Sequence, residues 1–198
     1  MKMIWTLLLL AVLAGGCART TTTSLVAGKQ ADRNQGLGKT VVLTWFEFEA
    51  TDKAGNDKAA RLRGFIEKRI GGLPGTELAQ AGALTAALGS DNWRDASDME
   101  LTAAARCVGA DSVALVEVAV CRGALNVNLP LPPYWNVETA FAYRVRLLDV
   151  RSGSLILSAM RAHEADRPFA MRGRETLYQE FEKDLAELIQ PLAQQAAN

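Results

Sequence analysis

The chain has 198 residues, 49% of them hydrophobic, with 22 basic and 22 acidic side chains and one histidine. Such a balance excludes recognition of nucleic acid through phosphates, which needs a basic surplus gathered on one face. Any Ser-His-Asp, Cys-His or multi-histidine metal arrangement would have to include His163, the one histidine in the sequence.

Lys2 gives a positive start, and the apolar run Leu7 to Leu13 that follows is too short to span a bilayer as a mature helix. Small residues, Ala14-Gly15-Gly16, lead directly into Cys17. This segment resembles the bacterial lipoprotein signal, in which the cysteine thiol is acylated and becomes the new amino terminus; Ala14 stands where that signal usually has leucine. The resemblance implies lipidation at Cys17. Ala18 takes the place of the aspartate that retains many such proteins at the inner membrane, so it also implies the outer membrane, with the domain facing the periplasm. Residues 1–16 are thus expected to be a signal peptide, and 17–38 the lipidated cysteine with a flexible tether. Thr20 to Thr23 and the glycines Gly28, Gly36 and Gly38 show no apolar periodicity. Residues 39–198, roughly 160, suit one domain.

Thr40 to Phe48 is β-branched and aromatic, the composition of a central strand. Leu62, Phe65, Ile66 and Ile70 fall at helical spacing between Lys58 and Ile70, with Asp57 as the cap and Gly71-Gly72 as the stop. A short edge strand is predicted over Thr76 to Gln80, then an alanine-rich helix around Ala83 to Leu88. Ser97 and Glu100 form a capping box that starts a helix from Asp98 to Val108, closed by Gly109. Strands follow over Asp111 to Cys121, Val137 to Asp149 and Ser154 to Glu164, the last two joined by a turn at Arg151-Ser152-Gly153. With Asp149 opposite Ser154, Leu147 is expected to pair with Ile156 and Tyr143 with Met160 inside, leaving Arg144, Arg146 and Arg161 on the outer face. Leu177, Phe181, Leu185 and Leu188 form one stripe on a final helix from Arg174 to about Ile189.

This order gives an α/β fold, a single mixed sheet of about five strands with helices packed on one face. Ala105 to Glu117, a helix, a Gly109-Ala110-Asp111 turn and a strand, resembles the amino-terminal domain of TolB-like periplasmic proteins. Val145 to Gly153 resembles a hairpin of the same domain. Related domains occur in the curli secretion lipoprotein and in lipoprotein activators of penicillin-binding proteins. The resemblance implies a non-enzymatic envelope protein that works by contact with a partner or with itself. Its motifs are structural: Gly109 and Gly153 supply turn conformations, not chemistry.

No residue pattern calls for catalysis, a metal or a cofactor. Asp91, Asp95, Asp98 and Glu100 match no calcium loop, and acidic groups at a helix start are accounted for by capping. A small cell-wall hydrolase using Asp111 and Glu117, or an activator of a peptidoglycan synthase, are the alternatives. Cys107 and Cys121 lie on either side of a strand about 30 Å long at about 3.3 Å per residue, so two small buried thiols are expected rather than a disulfide. Leu43 and Trp45 share the parity of Glu47, Glu117 and the arginines, which leaves an apolar strip on the outer sheet face that a partner or an oligomer contact would use. The segment Leu125 to Asn136 is long, apolar and stiffened by Pro130, Pro132 and Pro133, and is expected not to extend the sheet. Leu129, Leu131, Tyr134 and Trp135 form a contact surface there, for a partner, a second copy or the membrane leaflet, or else fold back to cap the core.

Overall fold

The computed structural model describes residues 18–25, 36–49, 53–90, 92–128, 134–168 and 174–196. The signal segment, Cys17, Leu129 and Leu131 lie outside them. In chain order the elements are β1 (Ala18–Leu25), β2 (Gly38–Phe46), α1 (Lys53–Gly71), β3 (Thr76–Ala79), α2 (Ala81–Leu88) and a 3-10 turn (Trp93–Asp95). They continue with α3 (Asp98–Cys107), β4 (Ser112–Asn128), β5 (Tyr134–Asp149), β6 (Ser154–Pro168) and α4 (Arg174–Ala196). The strands form one mixed sheet in the order β1-β6-β5-β4-β2-β3, in which β2 runs parallel to β3 and β4 and every other pairing is antiparallel.

The α/β class with a single mixed sheet stands; the placement of the helices differs. On one face Val42, Phe46, Val116, Tyr143 and Val145 pack against Leu62 and Ile66 of α1 and Phe181 and Leu185 of α4. On the other, Val41, Leu43, Val113, Leu115 and Leu148 pack against Leu84 of α2, Trp93, and Leu101 and Ala105 of α3. Helices therefore cover both faces of the β2 end. A parallel strand flanked by crossover helices is buried on both sides, and Val41-Val42-Leu43 is the continuous apolar run such burial demands.

The segment expected to be tether also differs. Ala18–Leu25 adds an antiparallel strand to β6, with Thr20 opposite His163 and Thr23 opposite Met160. Threonine is β-branched, and four in a row favour extended backbone without any apolar period. Gly38 opens β2 rather than belonging to a linker: its φ is +65°, and a Cβ there would stand 2.5 Å from the Asp111 carboxylate. Only glycine meets both conditions.

Asp111 itself ties the domain together at this point. Its carboxylate accepts the Lys39 backbone N–H at 2.9 Å and the Arg151 guanidinium at 2.9 Å. Its own N–H donates to the Lys39 carbonyl at 2.7 Å, and its carbonyl accepts from Val150 at 2.9 Å. The Lys39 amide first, then Arg151, hold the Asp111 carboxyl below the ordinary range. With the folded value below the unfolded one, its contribution is complete above the unfolded pKa of about 3.9 and is lost as pH falls through the folded pKa. Urea midpoints measured from pH 7 downward should therefore fall more steeply below about pH 4 for the wild type than for Asp111→Asn. Equal acid slopes would contradict this role.

The capping box forms as expected: Ser97 Oγ accepts from the Glu100 amide at 3.3 Å, and the Glu100 carboxylate accepts from the Ser97 amide at 2.8 Å. The buried face of α3 consists of Leu101, Thr102, Ala104 and Ala105. Cys107 falls off that face and is exposed, which corrects the expectation of a buried thiol there.

Candidate interaction surfaces

Two places in the fold gather the residues singled out in the sequence. The first is the sheet face carrying Trp45, Glu117 and Arg146. Register puts Trp45 beside Glu117 and Leu43 beside Leu115. Leu43 is 3% exposed beneath α2 and α3, so it belongs to the core and not to a contact strip. The Arg94 guanidinium lies 3.6 Å from the centre of the Trp45 ring and its Nε stands 3.6 Å from Glu117. Arg146 bonds Asp98, at the start of α3, at 2.7 Å and approaches Glu117 at 3.5 Å. What reads in sequence as an apolar strip among charges is a rim where α3 and the 3-10 turn are pinned to the sheet by paired charges.

The same cluster answers the hydrolase alternative. Glu117 is engaged by two arginines and Asp111 by Lys39 and Arg151. Asp111 immediately precedes β4 and Glu117 is its sixth residue, so six residue steps put them about 20 Å apart at about 3.3 Å per residue. Paired carboxylates that work on one glycosidic bond stand within about 10 Å.

Arg161 faces the opposite way from the expectation, and His163, two residues on, shares its side of the sheet. A bulge between Leu147 and Leu148 shifts the β5–β6 register, so that Leu147 pairs with Leu157 and Tyr143 with Arg161. One extra residue reverses every side chain beyond it. Met160 is turned outward, 54% exposed, and Arg161 and His163 turn under α4. There Asp184, 8% exposed, bonds Arg161 at 2.8 Å and also the His163 Nε2. Tyr143 stands alongside. Burial first, and then the charge of Asp184, push its phenol above the ordinary range, so it remains neutral. The histidine serves to dock a helix.

The second place is the long β4–β5 hairpin. Pairing continues past the body from Gly123 opposite Thr139 to Val127 opposite Trp135 and Asn128 opposite Tyr134. The expectation that this segment cannot extend the sheet is corrected. All three prolines fall within residues 129–133, outside the described residues, so no ladder donor is lost before Asn128 or after Tyr134. β6 accompanies β5 as far as Pro168 opposite Asn136, making a three-stranded arm that ends in a two-stranded tip. Val127, in that tip, is 57% exposed. Ala18 pairs with Ala165, which lies at the level of Thr139 and Gly123. Ala18 is therefore joined to the sheet at the end from which the arm projects, and Asn128 and Tyr134, five residues beyond Gly123 and Thr139, lie about 17 Å further out at about 3.3 Å per residue.

No helix of the described residues is long and apolar enough to cross a membrane. No protein-family model matches the chain, and no curated protein matches it. Several solved structures are similar to it. PelC from Paraburkholderia phytofirmans, a dodecamer, is 19% identical with a TM-score of 0.43 over 90% of this chain and 97% of that one. The lipoprotein GNA1162 from Neisseria meningitidis is 15% identical with a TM-score of 0.41 over 81% of this chain and 99% of that one. The carboxy-terminal domain of LpoB from Escherichia coli is 17% identical with a TM-score of 0.40 over 68% of this chain and 87% of that one.

Proposed function

We propose that this chain is an envelope lipoprotein, anchored through Cys17 to the periplasmic face of the outer membrane, that acts by protein contact and not by catalysis. The observation that carries this reading is the arm. It carries the β4–β5 pairing out to Asn128 and Tyr134, past the level at which β1 begins at Ala18, and register sets Trp135 opposite an exposed Val127. Aromatic residues on a rigid strand lose little entropy on binding and dominate interface energetics. Leu129 and Leu131, between the two strands of the arm, complete the contact surface. The partner is another envelope protein held close to the same membrane.

The position of β1 favours this over activation of a peptidoglycan synthase beyond the cell wall. A domain whose first strand begins one residue after its anchor has no tether with which to reach far. Tyr134→Ala combined with Trp135→Ala tests the reading. In crosslinked native envelopes the double variant should lose the complex that the wild type forms, with its melting temperature unchanged. A large fall in melting temperature instead makes these residues part of the core and overturns the contact assignment.

A further inference from the structure

β6 ends at Pro168, opposite Asn136, so α4 starts beside the arm and runs back beneath the sheet. Its Phe181 meets Phe141 at 5.2 Å, and the helix begins at Arg174, about 10 Å nearer the tip at about 1.5 Å per residue. It therefore reaches about as far as Glu138. Beyond that level, register places Leu125 opposite Val137 and Val127 opposite Trp135 on the α4 side of the sheet, and Asn126 opposite Asn136 and Asn128 opposite Tyr134 on the other. Apolar and polar residues alternate with a period of two on both strands. No charged residue occurs from Gly123 to Val137, and Val127 is 57% exposed. Arg167, opposite Val137, is the one charge that register puts on the α4 side beyond Thr139.

An apolar face past the last covering helix is stabilised by meeting lipid or another protein. The position of β1 decides between them. Ala18 pairs with Ala165 at the level of Thr139, and a single residue, at most about 3.6 Å of chain, separates it from the acylated Cys17. The headgroups therefore lie beside Ala18, and an arm that continues about 17 Å past this level meets the leaflet before any partner.

We propose that the arm is seated in the membrane: the face bearing Leu125, Val127, Trp135 and Val137 lies in the leaflet that holds the Cys17 acyl chains. An amphipathic element rests at the boundary of headgroups and acyl chains, the depth that tryptophan prefers. The open edges of a two-stranded tip keep it from going deeper, because unpaired backbone groups are not tolerated in hydrocarbon. Arg167 suits the anionic headgroups at that boundary. This seating rests on the reading of the chain as a lipoprotein anchored at Cys17, and deepens it. Anchor and leaflet fix the arm at two points, and the protein partner meets the opposite face, where register puts Tyr134.

The full lipidated chain, reconstituted into vesicles of phosphatidylethanolamine and phosphatidylglycerol, tests this with lipids whose acyl chains carry bromine, which quenches tryptophan emission on contact. Brominated lipid should quench the wild type. Trp135→Phe should abolish that quenching, because Trp45 and Trp93 belong to the helix-covered body. Val127→Asp, at an exposed position, should abolish it too, with flotation on the vesicles and melting temperature both unchanged. A floating wild type without quenching, or quenching that survives either change, overturns the seating and leaves the face to a protein or a second copy. A wild type that does not float overturns the anchor and the seating together. The crosslink to the envelope partner is a separate readout, so loss of the protein contact and loss of the leaflet contact are told apart.

Discussion

Phe181→Ala should lower the stability of the domain by about 3 to 5 kcal/mol, read as a fall in the urea midpoint at unchanged slope. The ring is fully buried on the inner face of α4. It meets Tyr143 at 5.0 Å and Phe141 at 5.2 Å edge-on, both on β5, and Phe65 of α1 at 6.1 Å. Phe181 is thus where the last helix, the first helix and the sheet meet. Its removal leaves a void bounded by elements distant in sequence, which cannot close by a local shift. An unchanged midpoint would show that α4 does not dock on the sheet.

Asp184→Ala should cost about 3 kcal/mol or more, although it deletes a charged residue from a helix. Asp184, Arg161 and His163 have side-chain exposures of 11%, 15% and 19%. Loss of the carboxylate leaves the arginine in a largely dry pocket, with Glu187 at 3.5 Å as its remaining acidic neighbour. Breaking such a pair costs more than forming it contributes, because the surviving charge has already left water. Glu187→Ala is the control: at 49% exposure its pairing is solvent-screened, and its loss should change stability by under about 1 kcal/mol. Equal effects of the two changes would mean that the Asp184 cluster is open to water.

The succession of strands β2 to β6 along the chain, the capping box at Ser97 and the α4 stripe are legible because each is a local pattern: β-branched runs, a four-residue capping signature, a period near 3.6. What failed depends on single residues or on distant partners. The bulge at Ile156 has no local signature, yet it sends Met160 out and brings Arg161 and His163 under α4. Parity grouped Leu43, Trp45, Glu117 and Arg146 correctly on one face, but parity does not say what covers a face. Val41-Val42-Leu43, apolar at three successive positions, is the signal that both sides are buried. β1 was hidden because its threonines alternate nothing, and an edge strand is recognised by its neighbour rather than by its own pattern. The arm escapes a reading of the whole segment because Pro130, Pro132 and Pro133 restrict pairing only between residues 129 and 133, and the residues on either side keep their backbone donors.

An envelope contact protein held at Cys17 makes one demand that fractionation tests directly. Wild type should distribute with the outer membrane, and Cys17→Ser should appear as an unprocessed precursor or as a soluble form. If Cys17→Ser remains with the outer membrane at the wild-type level, the anchor is not at Cys17 and the account fails at its base.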